Sequence, residues 1–224
     1  MIIRLFSFCV SILFFCTISY PQNHEKCGFD HKHNALLQNL AYKNLIEKSE
    51  AEIKQYRLNQ NKSSQVYNIP VVVHVLHKGE AVGTGTNISD AQINSAISHL
   101  NQVYRGQTAN SPTDFGIQFS LAQQDPNCNA SNGINRVNAS GIPNYSSGGV
   151  DYYGDGGEAD EDDLKDLSKW PVSDYFNIWI VSEIENNNGG SGVQGYANFF
   201  TGSNTYEGSM LSLIHISEPT RLAE

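Results

Sequence analysis

The sequence predicts an α+β domain: a twisted, mainly mixed β-sheet backed by one helix, reached through an apolar leader and a helical lead segment. Three observations carry this. Ile69 to Leu76 is an almost unbroken apolar run rich in valine, interrupted only by Pro70 and His74, and so short a β-branched run fits a strand covered on both faces. Ser89 opens a Ser-Asp-Ala-Gln capping box ahead of a regular apolar stripe, the signature of a helix start. Phe115, Ile117, Phe119 and Leu121 alternate with polar or small residues, as a half-buried strand requires.

The 224 residues carry a net charge of −9 and a sequence pI near 5.2. Such a chain has no basic surface to offer a nucleic acid, and its length suits one domain with a lead segment. The first element is the leader. Arg4 precedes an apolar stretch from Leu5 to Ile18, too short for a membrane span and suited to an export signal. Residues 1–20 are therefore expected to be a signal peptide cleaved near Ser19 or Tyr20, with no membrane attachment afterwards. An uncleaved anchor is the competing reading. At Cys16 a lipoprotein site is disfavoured, because Phe14 and Phe15 stand where small residues are expected.

Loss of the signal removes Cys9 and Cys16 and leaves Cys27 and Cys128. In an oxidising compartment two cysteines can bond to each other, stay unpaired or find partners elsewhere, and these possibilities stay open. Cys27 lies in a cluster with His24, His31 and His33. Its spacing matches no zinc module, and the histidines are expected to lie solvated in a terminal loop. Residues 34–58 read as one helix capped by Asn34, with Leu37, Leu40, Ala41, Ile46, Ile53 and Tyr56 on one side. Residues 59–64 are polar linker. The lead region thus spans 21–66.

Pro70 is expected among the first residues of its strand, where a missing amide donor is tolerated. A glycine-rich turn occupies 79–86. Ile93, Ala96, Ile97, Leu100, Val103 and Tyr104 place an apolar stripe on the helix from Ser89 to Arg105, ended by Gly106. A turn at Asp125-Pro-Asn and a short strand at 133–137 follow, then a loop over 138–157. Asp151, Asp155, Glu158, Asp160, Glu161, Asp162 and Asp163 invite a calcium reading but do not fit EF-hand spacing. Asp160 to Asp163 fit better at the N-terminus of a helix at 164–167, where the dipole favours carboxylates. Calcium is otherwise left open. Residues 175–182 read as a strand, 186–195 as a loop and 196–200 as a short edge strand.

His74 and His77 form an H-x-x-H pair. On a strand, positions three apart point to opposite faces and cannot ligate one metal. His74 is expected to be a core histidine or a residue supporting a site from behind. The sequence contains no H-E-x-x-H, no G-x-S-x-G and no phosphate loop, so no catalytic residue and no metal ligand is assigned from residue chemistry.

In order, Ile69-Pro-Val-Val-Val-His-Val-Leu, Ile88-Ser-Asp-Ala-Gln-Ile, Phe115-Gly-Ile-Gln-Phe-Ser-Leu-Ala, Asp125-Pro, Asn132-Gly-Ile-Asn-Arg, Tyr175-Phe-Asn-Ile-Trp-Ile-Val and Gly195-Tyr-Ala resemble the N-terminal part of the pappalysin (cytophagalysin) family. These are secreted zinc metalloproteases of the metzincin group. The resemblance covers roughly 67–200. It implies a zincin-like upper subdomain over 67–210, and a parent enzyme that hydrolyses peptide bonds in proteins or peptides. In such a parent, zinc polarises the carbonyl and acidifies a water, with a helix glutamate as general base. The zinc helix of the family follows this region and has no counterpart in the sequence. The chain as written is therefore expected to be inactive. The Cys-Gly pair followed by a helix also resembles the family's lead segment. Some of its zymogens are held latent by a pro-segment cysteine on the zinc, and the matching position is Cys27. A thiolate there would occupy the open fourth position. The resemblance further implies a secreted, bacterial protein. A secreted, non-catalytic binding module with an Asn/Gly-rich loop face is the alternative. Residues 211–224 depart from the family: Ser212 to Arg221 looks like translated sequencing adapter, with an ordinary strand over 211–216 as the competing reading.

Overall fold

A computed structural model describes residues 27–59, 65–187, 192–198 and 207–213. The expected signal peptide, His24, residues 60–64 of the linker, part of the 186–195 loop, Phe200 and most of the tail lie outside the described residues. The element order is α1 (Phe29–Leu36), α2 (Leu40–Asn59), β1 (Tyr67–His77), α3 (Asp90–Tyr104), β2 (Ile117–Leu121), β3 (Ile134–Asn138), α4 (Tyr145–Gly148), α5 (Glu161–Asp166), β4 (Phe176–Val181), β5 (Gly195–Ala197) and β6 (Ser209–Ser212).

β1 is the axis of the sheet. Val71 to Leu76 are all buried, because both faces are covered. Val71, Val73 and Val75 pack with Ile93, Phe119, Ile178 and Ile180, and with Ile97, Leu100 and Tyr104 of α3. On the opposite face Leu76 packs with Tyr145, Leu164, Trp179, Ile184, Tyr196 and Met210. A fully buried side chain of this kind contributes about 1.5–3 kcal/mol.

The strand order is β2-β1-β4-β6-β5, with β3 also on β1. β2 pairs with residues 67–71 of β1 and β3 with residues 73–77. β4 takes the opposite edge of β1 over residues 71–75, so β2 and β3 follow one another along a single edge. Among the described residues all pairings are parallel except β5 with β6. The sheet is mixed, as expected, but mainly parallel, a larger α/β character than the α+β expectation. The reason lies in the connections: α3 and the long loops carry the chain back over the sheet, so successive strands enter from the same end.

The capping box at Ser89 is formed. Its hydroxyl accepts the Gln92 N–H at 3.3 Å, and its own N–H donates to Gln92 Oε1 at 3.0 Å. Asn101 ties α3 to the sheet as a strand would. Its Nδ2 donates to Phe119 O at 2.8 Å and its Oδ1 accepts from Phe119 N–H at 2.7 Å.

Several expectations need correction. The helix at 34–58 is two helices, and Asn34 lies inside α1 instead of capping it. Asn39 is the cap that restarts the chain: its Oδ1 accepts from the N–H groups of Ala41 at 2.9 Å and Tyr42 at 3.2 Å. The 138–157 loop contains α4, held by the fully buried Tyr145, whose hydroxyl donates to Leu76 O and accepts the Ser182 N–H at 3.1 Å. The acidic helix begins at Glu161, with Asp160 as its cap. The edge strand begins at Gly195. Leu211 and Ser212 belong to β6, which pairs with both β4 and β5.

Candidate functional site

β5 stands at the end of the strand order, and the lead segment lies along it. Cys27 forms a parallel bridge with Gly195, and the Gly28 N–H donates to Gly195 O at 3.0 Å. Gly28 is buried, and its carbonyl accepts a hydrogen bond from the Tyr152 hydroxyl. A Cβ there would lie 2.8 Å from the Tyr152 ring, so any other residue must displace that buried side chain. Cys27 and Cys128 are both exposed free thiols. The Cys27 side chain is thus presented to solvent at the sheet edge, while its neighbour is clamped.

α1, not a terminal loop, carries the lead histidines. His31 packs against the rings of Tyr152 and Tyr153, with centroids 5.4 and 5.0 Å away. His33 stacks on Phe29 and its Nδ1 lies 3.0 Å from the Tyr42 hydroxyl. His31 thus meets the body of the domain, and His33 joins α1 to α2.

His74 is fully buried. Its Nε2 lies 2.9 Å from Asn177 Oδ1 and its Nδ1 lies 3.4 Å from Asn135 Nδ2. Asn177 Nδ2 is already committed to the Trp170 carbonyl at 3.0 Å, and Oδ1 also accepts the Trp170 N–H at 2.9 Å. The ring therefore donates from Nε2 and accepts at Nδ1, the neutral tautomer. Burial pushes its pKa down to about 4, against a smaller upward pull from the Asn177 bond. The ring stacks on Trp179 at 5.2 Å. His77 belongs to the other face of the strand and accepts the Gly79 N–H at 3.0 Å. The pair cannot bind one metal, as the strand periodicity predicts, and His74 is a core residue.

Among the described residues one group could hold a metal ion: Asp151, Asp155 and Glu158, whose ligand atoms lie within 4.8 Å of one another. Asp151 is partly satisfied already, accepting the N–H groups of Gly154 at 2.5 Å and Gly156 at 2.8 Å. The Glu158 carboxyl is raised by burial and then by the charges of Glu185, Asp155 and Asp151. Asp160 does not join this group; its Oδ1 caps α5 through the Asp162 and Asp163 N–H groups at 2.9 and 3.0 Å. The long acidic run thus splits into a helix cap and a separate carboxylate cluster, which the sequence does not distinguish.

An apolar cleft of about 400 Å³ opens beside the first residues of β1 and β4, lined by Ile69, Pro70, Val172, Tyr175 and Phe176 with Glu207 at its polar side.

No family model matches the chain, and no curated protein matches it. Solved structures do. A point mutant of Tannerella forsythia promirolysin is 28% identical, with a TM-score of 0.58, over 84% of this chain and 59% of that one. Mirolysin in complex with a compound is 29% identical, with a TM-score of 0.50, over 66% of this chain and 53% of that one. Mature T. forsythia mirolysin with a cleaved peptide is 30% identical, with a TM-score of 0.47, over 67% and 54%. The chain spans less than two thirds of each of these proteins.

Proposed function

We propose that this chain is the lead segment and upper subdomain of a secreted, zinc-dependent metalloendopeptidase that hydrolyses peptide bonds in proteins. In this reading residues 1–20 are an export signal, 21–66 a pro-segment, and 67–210 the first part of a catalytic domain. The observation that carries it is the match to promirolysin, 28% identical over 84% of the chain. The proenzyme match covers more of this chain than the 66% covered by mirolysin with its compound. That difference supports a lead segment shared with the proenzyme.

The geometry at β5 supports the same reading. An extended peptide adds to a free strand edge through main-chain hydrogen bonds, and Cys27 and Gly28 hold that place on Gly195. A substrate chain and the lead segment would compete for one edge. Cys27, exposed and unbonded, takes the latency role in this proposal.

Zinc is the metal implied for such an enzyme. The residues described here do not fit it: His74 is buried with both ring nitrogens engaged, His77 faces the other way, and the one candidate metal group is all carboxylate. Zinc prefers nitrogen and sulfur donors.

The test is to express a longer product of the same gene. It should carry an H-E-x-x-H motif and cleave casein in a chelator-sensitive way, whereas residues 1–224 alone should not. A longer product without the motif and inert towards casein would overturn the reading in favour of a binding module. In an active longer product, Cys27→Ala should give cleavage without removal of the lead segment. Undiminished latency in that variant would remove Cys27 from the mechanism.

A further inference from the structure

α1 sends one side chain into the body of the domain. Lys32 Nζ pairs with Glu161 of α5, 129 positions away in the chain. The same ammonium lies 4.9 Å from the Tyr196 ring centroid and 5.4 Å from that of Tyr152. Tyr196 and Tyr152 are each 3% exposed, and the Glu161 side chain is 12% exposed.

This is not an ordinary surface ion pair. Burial alone would push the Glu161 carboxyl up, but Lys165 and Lys32 outweigh it and hold the group below the ordinary value. One oxygen of Glu161 is taken by Lys165, whose side chain is 1% exposed and lies over Trp179. The other oxygen is left for Lys32. The two tyrosine rings lie beside the ammonium, and ring faces attract a cation. Asp160 caps α5, and Asp162 and Asp163 lie on the same first turn as Glu161. The donor geometry also discriminates. A guanidinium reaches full strength by engaging both oxygens of a carboxylate, and one is already occupied. An ammonium on an unbranched stem needs only one.

We propose that Glu161, Tyr152 and Tyr196 form a binding site for a primary alkylammonium group, and that Lys32 fills it as the latch holding the lead segment on the β5 edge. The backbone clamp at Gly28 and the latch at Lys32 lie four residues apart on the same segment, one at the start of α1 and one in its first turn. Either contact alone leaves the segment free to pivot; together they fix it. The proposal stands apart from the peptidase reading and concerns a different residue from Cys27.

The experiment uses the full chain and hydrogen exchange followed by mass spectrometry. Lys32→Ala should speed exchange in peptides covering 27–36 and 195–197 by tenfold or more, and leave 71–76 unchanged. Adding n-propylammonium, which replaces the missing atoms, should raise protection of peptides covering 152–153 and 161–166 in Lys32→Ala without re-attaching the lead segment; n-propanol, of like shape and no charge, should not. Lys32→Arg should recover only part of the protection. Lys32→Met keeps the stem and should behave as Lys32→Ala. Unchanged exchange in the lead peptide of Lys32→Ala, or equal protection by n-propanol, would overturn the site. Loss of protection across 71–76 in Lys32→Met would also overturn it, by making Lys32 a general stability residue.

Discussion

His74 Nε2 lies 2.9 Å from Asn177 Oδ1, although 103 positions separate the two residues. The bond joins the central strand to β4, and Asn177 passes it on to both backbone groups of Trp170. One carboxamide thus sets the histidine tautomer and anchors the segment that leads into β4.

The neutral ring makes stability depend on pH. Burial lowers the His74 pKa from 6.5 to about 4, so the unfolded chain binds the proton more readily than the folded one. Stability is then full above pH 6.5 and falls as the pH drops towards 4. A shift of this size corresponds to about 3 kcal/mol at most, at about 1.4 kcal/mol per pKa unit. Urea unfolding at pH 7, 5.5 and 4.5 should show this loss. His74→Phe should be less stable at pH 7, because Asn177 loses its partner, yet nearly flat over the same window. Equal pH slopes in the two proteins would remove His74 as the cause.

Gly28→Ala should detach the lead segment without unfolding the domain. The added methyl meets the Tyr152 ring at 2.8 Å, an overpacking that costs about 1–3 kcal/mol. Faster hydrogen exchange over 27–36, with residues 71–76 still protected, is the expected pattern. Wild-type exchange in the variant would show that Tyr152 moves aside at little cost.

Asn101→Ala should weaken the packing of α3 on β2. It leaves the Phe119 N–H and carbonyl without their side-chain partner, a loss of about 1–3 kcal/mol. For a domain of this size Tm should fall by about 2–4 °C per kcal/mol. Asn101→Asp keeps the acceptor and loses the donor, so it should lie between. A Tm equal to that of the parent in Asn101→Ala would mean that water replaces both bonds.

The turn after β1 should be acid-sensitive. Burial acts to raise the Glu80 carboxyl, but bonds from the Thr86 N–H and hydroxyl and from the Lys78 N–H outweigh it and hold its pKa down to about 2, against 4.5. A carboxyl held down in the fold lends its stability above the unfolded value. That stability is lost as the pH falls from about 4.5 towards 2. Carboxyl NMR titration should place Glu80 well below the other glutamates, and Glu80→Gln should speed exchange of the Lys78 and Thr86 amides at neutral pH. A Glu80 titration near 4.5 would reject the network.

Much of the fold was legible in the sequence because its signals are local. The valine run of β1, the Ser89–Gln92 box, the alternation through Phe119 and the carboxylates before α5 each lie within a few residues. Periodicity, capping and dipole arguments act over that range. Even the opposite facing of His74 and His77 follows from the pleat alone. The break between α1 and α2 was masked by a continuous helical pattern, since Asn39 looks like any polar residue on the outer face. What only tertiary structure decided was which distant groups meet. The sheet order brings Cys27 to Gly195, Lys32 to Glu161, His74 to Asn177 and Asn101 to Phe119. None of these pairs has a sequence pattern, because each depends on which helices and strands of the chain pack against one another. The physical reason is the range of the forces: hydrogen bonds and ring contacts act over a few ångströms, and the chain positions that come within that distance are chosen by the packing of the two cores.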